Sequence, residues 1–315
     1  MGFLLSSFQK LSNIALLVTT CLLLSSLSCS TRQSQSESSA GAGLRQIVDD
    51  AGRHISIPAK VGRVVSLAPN LTEILFAVGA GNTLVGDTTY CDYPAEAKGI
   101  EKVGDTLHPS LERIIALSPQ LVLVSTASQL EVFTEQLKAH NIEVFVTDPK
   151  DLEGVFRSVT QIGDIVGKTS EAKSLVDKLR ERAANVESAV RPLPRVRLFY
   201  QLSAEPLYTA GHDSFVTDLI NRAGGESVTA SVPGAWPKYS AESALAAKPD
   251  AIILPTGGSM GEGNSMVAEA LRNSPAAQRG RVYKINDDHL VRPGPRAVDG
   301  LEEMAKALHP DAFQQ

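Results

Sequence analysis

The stretch LERIIALSPQLVLV, residues 111–124, is typical of a short helix, a proline stop and a buried strand. Residues 241–254, AESALAAKPDAIIL, follow the same pattern 130 positions later, with the glutamate, the proline and the aliphatic run in register. Two further pairs match in the same chain order, residues 71–79 with 216–224 and residues 141–148 with 280–287. Three ordered matches indicate an internal duplication. Two similar lobes form a cleft between them, which is a favoured place for a ligand.

Strands and helices alternate along both halves of the chain. In the first half we expect strands at residues 63–67, 84–86, 121–125 and 142–147, with helices between them. The run RVRLFY from Arg195 predicts the first strand of the second half. This alternation predicts an α/β fold with two Rossmann-like lobes, each built on a parallel sheet covered on both faces.

A helical connector is predicted at residues 151–192, between a first lobe at 44–150 and a second lobe at 193–315. Residues 151–166 form its first predicted helix, which Gly167 ends. Apolar residues of its second helix recur at helical spacing, at Ala172, Leu175, Val176, Leu179, Ala183, Val186 and Val190. About 21 residues at ~1.5 Å each make a long backbone helix of roughly 32 Å. Because such a rod resists bending, we expect the lobes to open and close only slightly.

The N-terminus has the pattern of a targeting segment. Lys10 is the only charged residue before Arg32, and residues 14–27 are apolar or small, which is the size of a signal-peptide core. Small residues then precede Cys29, as in a bacterial lipobox, so we predict a signal peptide at 1–28 and lipidation of Cys29. Residues 29–43 are polar and small, which predicts a flexible tether. An ordinary cleaved signal is the alternative.

Composition excludes several classes of protein. The net charge of −5 argues against a nucleic-acid partner, which requires a basic surface. With Cys21 removed in the signal peptide and Cys29 acylated, Cys91 is left alone, so no intrachain disulfide is predicted. We expect a monomer without a cofactor.

Two other functions are compatible with parts of the sequence. GGSMG at residues 257–261 fits the nucleophile turn of a serine hydrolase, in which Ser259, Asp287 or Asp288, and His309 would form the triad. A second lobe starting near Arg195 does not fit that fold, so a glycine-rich turn is the favoured interpretation. The six histidines lack metal-ligand spacing, and a divalent-metal receptor would require ligands from distant loops. We predict no enzyme and no resident metal.

Several motifs together resemble the Fe/B12 periplasmic-binding family, and most closely its vitamin B12-binding members. The motifs are residues 63–80 and 85–94, LERI at 111–114 with PQLVL at 119–123, AWP at 235–237 with SAE at 240–242, and RPGPR at 292–296. The resemblance covers nearly all of residues 60–308. It implies two α/β lobes joined by a backbone helix, and a solute-binding protein that delivers its ligand to the permease and ATPase of an ABC importer. It also implies a periplasmic or cell-surface location, here lipid-anchored to a bacterial membrane.

The resemblance also implies a set of ligand-binding residues. Matched by motif, these are Tyr90, Trp236, Asp288 and Arg292, where aromatic faces give contact area and an arginine meets amide or carboxylate groups. Thr106 and Ser125 stand where some B12 binders carry tryptophan. The resemblance makes cobalamin the first prediction for the ligand. Because the missing tryptophans make the cleft less aromatic, haem, with Tyr90 or His108 as the iron ligand, or a ferric siderophore is the alternative.

One glutamate on each lobe docks on permease arginines in this family. We assign that role to Glu73 and Glu242, each of which begins a predicted helix, where the helix dipole favours a carboxylate. Glu112 begins a helix in the same way, and the sequence does not separate it from these two.

Overall fold

The computed structural model describes residues 43–125, 131–257 and 266–314. The predicted signal peptide, Cys29 and Ser259 lie outside the described residues. A four-stranded parallel sheet organises the first lobe, with strand order β4-β3-β5-β6. An antiparallel hairpin of β1 and β2, which the sequence reasoning missed, precedes it. The elements are β1 Leu44–Val48, β2 His54–Pro58, β3 Val64–Ser66, α1 Pro69–Ala77, β4 Leu84–Gly86, α2 Leu111–Ala116, β5 Leu121–Ser125, α3 Glu131–Ala139 and β6 Glu143–Thr147.

Two helices connect this lobe to the second, α4 Leu152–Ile165 and α5 Thr169–Val190. Asp151 caps α4, because its Oδ1 accepts a hydrogen bond from the Gly154 amide at 2.6 Å. Gly167 ends the turn after α4 with a φ of +71°, a conformation that glycine adopts without strain. The 22 residues of α5 span about 33 Å. All residues of its predicted apolar stripe are buried except Leu175, which packs on the core at partial exposure.

A second four-stranded parallel sheet, with strand order β10-β7-β11-β12, organises the rest of the chain. A short antiparallel hairpin of β8 and β9 follows its first strand. The elements are β7 Val196–Tyr200, β8 Ser203–Ala204, β9 Leu207–Tyr208, α6 Phe215–Arg222, β10 Gly225–Ser227, α7 Ala241–Ala246, β11 Ala251–Thr256, α8 Pro275–Gln278, β12 Val282–Asn286, α9 Asp287–Val291 and α10 Ala297–Leu308.

The two sheets repeat each other in detail. Their strand orders are equivalent, and residues 111–120 have the same secondary structure and the same burial class, position by position, as residues 241–250. Ser110 and Ser240 cap the equivalent helices, each by accepting a hydrogen bond from an amide in the first turn. Residues with a left-handed backbone conformation also occur at equivalent places, Ser118 with φ of 45° and Lys248 with φ of 47°. The structure therefore repeats the pattern that the sequence motif predicted.

One continuous core links both sheets through the connector. It includes Ile57 of the first lobe, Phe156 of α4, Leu179 of α5 and Leu301 of α10, all of them at most 4% exposed. The opposite face of each sheet has a separate apolar cluster, around Val122 in the first lobe and around Phe199 and Ile252 in the second. Both sheets are thus covered on two faces. The predicted fold of two α/β lobes with parallel sheets and a long backbone helix is confirmed.

Candidate functional site

A cleft lies between the two lobes at the carboxyl ends of their strands. Its enclosed part has a volume of about 220 Å³. The first lobe contributes the turn after β3, Ser125 at the end of β5, and the turn after β6. The second lobe contributes the start of α6, the loop that contains Trp236, and the turn after α9. Carboxyl ends of parallel strands are where open α/β sheets bind ligands, because the connecting loops diverge there.

Trp236 forms part of the wall on the second lobe. Its side chain is 37% exposed, and its ring centroid lies 6.3 Å from that of the fully buried Tyr200. Backbone hydrogen bonds hold the loop of Trp236 against the preceding segment, from the Gly211 amide to Ala235 O at 3.0 Å and from the Thr209 amide to Pro237 O at 3.2 Å. The indole is therefore supported on one side and open to the cleft on the other.

Arg292 lines the cleft and belongs to a buried cluster of charges. Its Nη1 lies 2.9 Å from Asp92 Oδ1 and 3.2 Å from Glu73 Oε1, both in the first lobe, and its Nη2 lies 2.8 Å from Asp288 Oδ1. Arg296 donates from Nε to Glu73 Oε2 at 2.9 Å and from Nη2 to Glu73 Oε1 at 2.6 Å. Glu73 is 3% exposed and Arg292 is 5% exposed. The cluster therefore ties the lobes together within their interface.

Packing around the cluster supports this bridge. The Arg296 guanidinium lies 4.1 Å from the centroid of the Tyr93 ring, a cation–π contact across the lobes. Asn70 of α1 donates from Nδ2 to Pro293 O at 3.3 Å. A Cβ at Gly294 would lie 3.3 Å from Asn70 Cβ, so a side chain at this position would force Asn70 to move by a few tenths of an ångström.

A half-buried lysine, Lys102, holds the loop that contains Tyr90. Lys102 Nζ donates to Asp87 Oδ1 at 2.7 Å, to Cys91 O at 3.1 Å and to Ala97 O at 2.9 Å. Burial of the Asp87 side chain, which is fully inaccessible, raises its pKa to about 6 in spite of the opposing charge of Lys102. The ammonium thus holds the loop between Asp87 and Ala97, in which Tyr90 and Asp92 contact Arg292.

Charge and hydrogen bonding set the pKa values of two carboxylates at the cleft. Partial burial alone would raise the pKa of Asp92, but the hydrogen bond and the charge of Arg292 lower it below its ordinary value. The pKa of Asp213 is lowered by hydrogen bonds from His212 and from the Gly234 amide. Both groups are therefore ionised at neutral pH.

The predicted ligand-binding residues lie at or beside the cleft. Trp236 and Arg292 line its enclosed part. Thr106 and Ser125, which stand where some B12 binders carry tryptophan, line it as well. Asp288 is 6% exposed, and its side chain contacts Arg292 and is not open to the cleft. Tyr90 is 47% exposed outside the enclosed part, and its carbonyl lies 3.5 Å from Arg292 Nη2. Asp288 and Tyr90 thus contact Arg292, which lines the same cleft as Trp236.

The two glutamates assigned to permease docking differ sharply in exposure. Glu242 is exposed at the start of α7, where it accepts a hydrogen bond from Ser240 Oγ at 2.7 Å. Glu73 is buried and both of its oxygens accept hydrogen bonds from arginines, which does not fit a docking role. Glu112, at the start of α2, is exposed and occupies the position equivalent to Glu242 in the repeat. Exposure therefore favours Glu112 as the partner of Glu242.

Sequence reasoning missed several residues that line the cleft. Asn70 follows β3, and Asp148 and Lys150 follow β6, with Lys150 Nζ 2.8 Å from Asp148 Oδ2. The available signal was their position just after predicted parallel strands, which brings them to one edge of the sheet. The link between Glu73 and Arg292 had no such signal, because the two residues are 219 positions apart.

Neither a metal site nor a membrane span is found in the part of the chain that the structure describes. No group of three or more His, Cys, Asp or Glu side chains there could hold a metal ion. Within the same residues, no helix is long and apolar enough to cross a membrane.

Comparisons with known proteins agree with the fold described above. The model of the periplasmic binding protein family matches residues 64–288. The chain is 31% identical to an uncharacterised ABC transporter substrate-binding lipoprotein, YvrC, of Bacillus subtilis, over 85% of this chain and 87% of that protein. It is 29% identical to a vitamin B12-binding protein of Photorhabdus laumondii, over 78% of this chain and 88% of the relative.

A solved structure shares the fold. The periplasmic haem-binding protein RhuT of Roseiflexus sp. RS-1 superposes with a TM-score of 0.71 at 24% identity, covering 80% of this chain and 99% of that one. Since the family model spans most of the chain and both sequence relatives align over most of their length, the assignment does not rest on one short motif. The chain belongs to the periplasmic binding protein family.

Proposed function

We propose that the protein is the solute-binding lipoprotein of an ABC importer, and that it captures a cobalamin-type corrinoid in the cleft and delivers it to a membrane permease. The observation that carries this proposal is the cleft itself, where Trp236 and Arg292 face one volume from the second lobe. Relatives named vitamin B12-binding proteins support the choice of ligand.

The dimensions of the cleft indicate how a corrinoid would sit. The enclosed volume of about 220 Å³ is smaller than the roughly 300–1,000 Å³ typical of small-molecule pockets. A corrinoid therefore rests across the mouth of the cleft, with only its edge inside. Trp236 and Tyr90 are 37% and 47% exposed, and we assign their flat apolar faces to contact with the flat macrocycle.

Haem or a ferric siderophore is the alternative ligand within the same family. Solved haem-binding proteins share the fold, and Tyr90 and His108, whose side chains can ligate iron, are both exposed on the first lobe. Equilibrium dialysis of residues 30–315 against labelled cyanocobalamin, with haemin and a ferric siderophore panel as competitors, distinguishes the ligands. We expect saturable binding of cyanocobalamin at one site that neither competitor displaces at equal concentration. Displacement by haemin at lower concentration contradicts the proposal.

Docking on the permease is assigned to Glu112 and Glu242. Both are exposed, both follow a capping serine at equivalent places in the repeat, and neither takes part in an ion pair among the residues described. We expect the double variant E112K/E242K to abolish uptake into cells or proteoliposomes while cyanocobalamin affinity stays unchanged. Lysine substitution of the exposed Glu181 on α5, which also takes part in no ion pair among the residues described, is the matched control. Normal uptake by the double variant rules out this docking surface.

Anchoring is assigned to Cys29. A relative described as a lipoprotein supports this, as do the small residues before Cys29. We expect a clickable fatty acid to label the wild-type chain and not C29S, with C29S released from the membrane fraction. Equal membrane retention of C29S contradicts the assignment.

A further inference from the structure

Carboxylates outnumber guanidinium groups in the charged cluster between the lobes. Arg292 and Arg296 supply two positive charges, and Glu73, Asp92 and Asp288 supply three negative charges within 3.6 Å of them. Glu73 contributes most, because its two oxygens contact both arginines. The positive charge of Arg292 is therefore already balanced before any ligand arrives.

The other charged side chains of the described lining also have hydrogen-bonding or ion-pair partners. Lys150, the other cationic side chain among the described lining residues, lies 2.8 Å from Asp148 Oδ2. Asp213 Oδ1 lies 3.0 Å from His212 Nδ1. A ligand carboxylate entering the cleft thus finds no excess of cations among the lining residues that the structure describes, and it must compete with Glu73 for Arg292. An uncharged amide is not repelled by the carboxylates of this cluster, and its N–H can donate to Asp92, whose side chain is 50% exposed.

We propose that Glu73 is a specificity-determining residue, which neutralises Arg292 and so makes the cleft favour ligands with an amide rim over ligands with carboxylates. This inference rests on the proposed function, since it concerns the side chains of a corrinoid. It gives Glu73 a role in choosing the ligand in place of docking on the permease. Discrimination of this kind works by withholding an attractive charge from the wrong ligand.

The test compares two ligands that differ in one group. Cyanocobalamin and its monocarboxylic acid, in which one side-chain amide is hydrolysed, are titrated by calorimetry at pH 7.5 against wild type and E73Q. We expect wild type to prefer the amide form, and E73Q to reduce that preference by about tenfold, because one unit of negative charge near the rim is removed. The ratio of the two affinities is informative, since a general loosening of the cleft weakens both ligands alike.

Two further variants keep the test decisive. E181Q makes the same charge change at the exposed Glu181 on α5, and we expect it to leave the ratio unchanged. D92N removes another carboxylate from Arg292 at a side chain that is 50% exposed, so it reduces the preference in the same direction with little risk to folding.

The outcomes separate the two proposals. A reduced preference in E73Q and D92N supports the role of Glu73. Binding of cyanocobalamin with the same ratio in wild type, E73Q and D92N overturns that role and leaves the proposed function intact. Failure of wild type to bind either corrinoid overturns the proposed function, and the inference with it.

Discussion

Replacing Trp236 with alanine tests the wall of the cleft directly. The indole is 37% exposed. If a tryptophan side chain buries up to ~250 Å² when fully covered, about 90 Å² of this one remains for a ligand to cover. At ~25 cal/mol per Å², that area contributes about 2.3 kcal/mol, which is roughly a 50-fold change in affinity. We therefore expect W236A to weaken cyanocobalamin binding about 50-fold and W236F to weaken it much less.

The assay must not depend on the indole itself, so calorimetry or equilibrium dialysis is appropriate. Tyr239 provides a matched control, because its ring lies 6.1 Å from Phe199 and it does not line the cleft. We expect Y239A to reduce the melting temperature without changing affinity. Unchanged affinity in W236A, with a normal melting profile, refutes the placement of the ligand beside this residue.

Two predictions concern stability. The pKa of Asp87 is about 6 in the folded chain against an ordinary value of 3.8, so the folded state binds the proton more tightly and this group stabilises the fold as pH falls. Urea unfolding should show wild type gaining about 1.4 kcal/mol relative to D87N between pH 7.5 and pH 5.0, and a parallel pH dependence of the two proteins contradicts this. Gly79 and Gly224 occupy equivalent positions with φ of 73° and 80°, but only at Gly224 would a Cβ lie 2.5 Å from His309 Nε2. G79A should cost about 1–2 kcal/mol and G224A clearly more, and equal losses in thermal melts refute the packing argument.

The fold was predictable because short segments of the sequence specify its helices, turns and strands. The helix, the proline stop and the aliphatic strand of residues 111–124 recur at 241–254, and each copy specifies its own turn, including the left-handed residue before the proline. The connector was predictable for a similar reason, since helical periodicity and Gly167 fix its two helices within one or two residues. The β1–β2 hairpin was missed because it lies before the first repeated motif.

The site was only partly predictable, because its central contacts are long-range. Trp236 stood out as the only tryptophan of the chain, flanked by loop residues. Glu73 was predicted to begin a helix and to lie at the surface, yet it is in the middle of α1, Pro69–Ala77, and two arginines from the far end of the chain bury it. The position of a residue in a helix does not by itself indicate which part of the other lobe packs over it. Only the folded arrangement separates Glu73 from Glu112, which the sequence left equivalent.

The most direct measurement is a fluorescence titration of residues 30–315 with cyanocobalamin, since Trp236 is the only tryptophan. Absorption by the ligand is corrected with W236F as the reference, and haemin and a ferric siderophore are titrated in parallel. The account predicts saturable quenching by cyanocobalamin at one ligand per chain, with co-elution on gel filtration. Saturable quenching by haemin or the siderophore with none by cyanocobalamin contradicts the corrinoid assignment, and no response to any of the three contradicts the placement of the cargo beside Trp236.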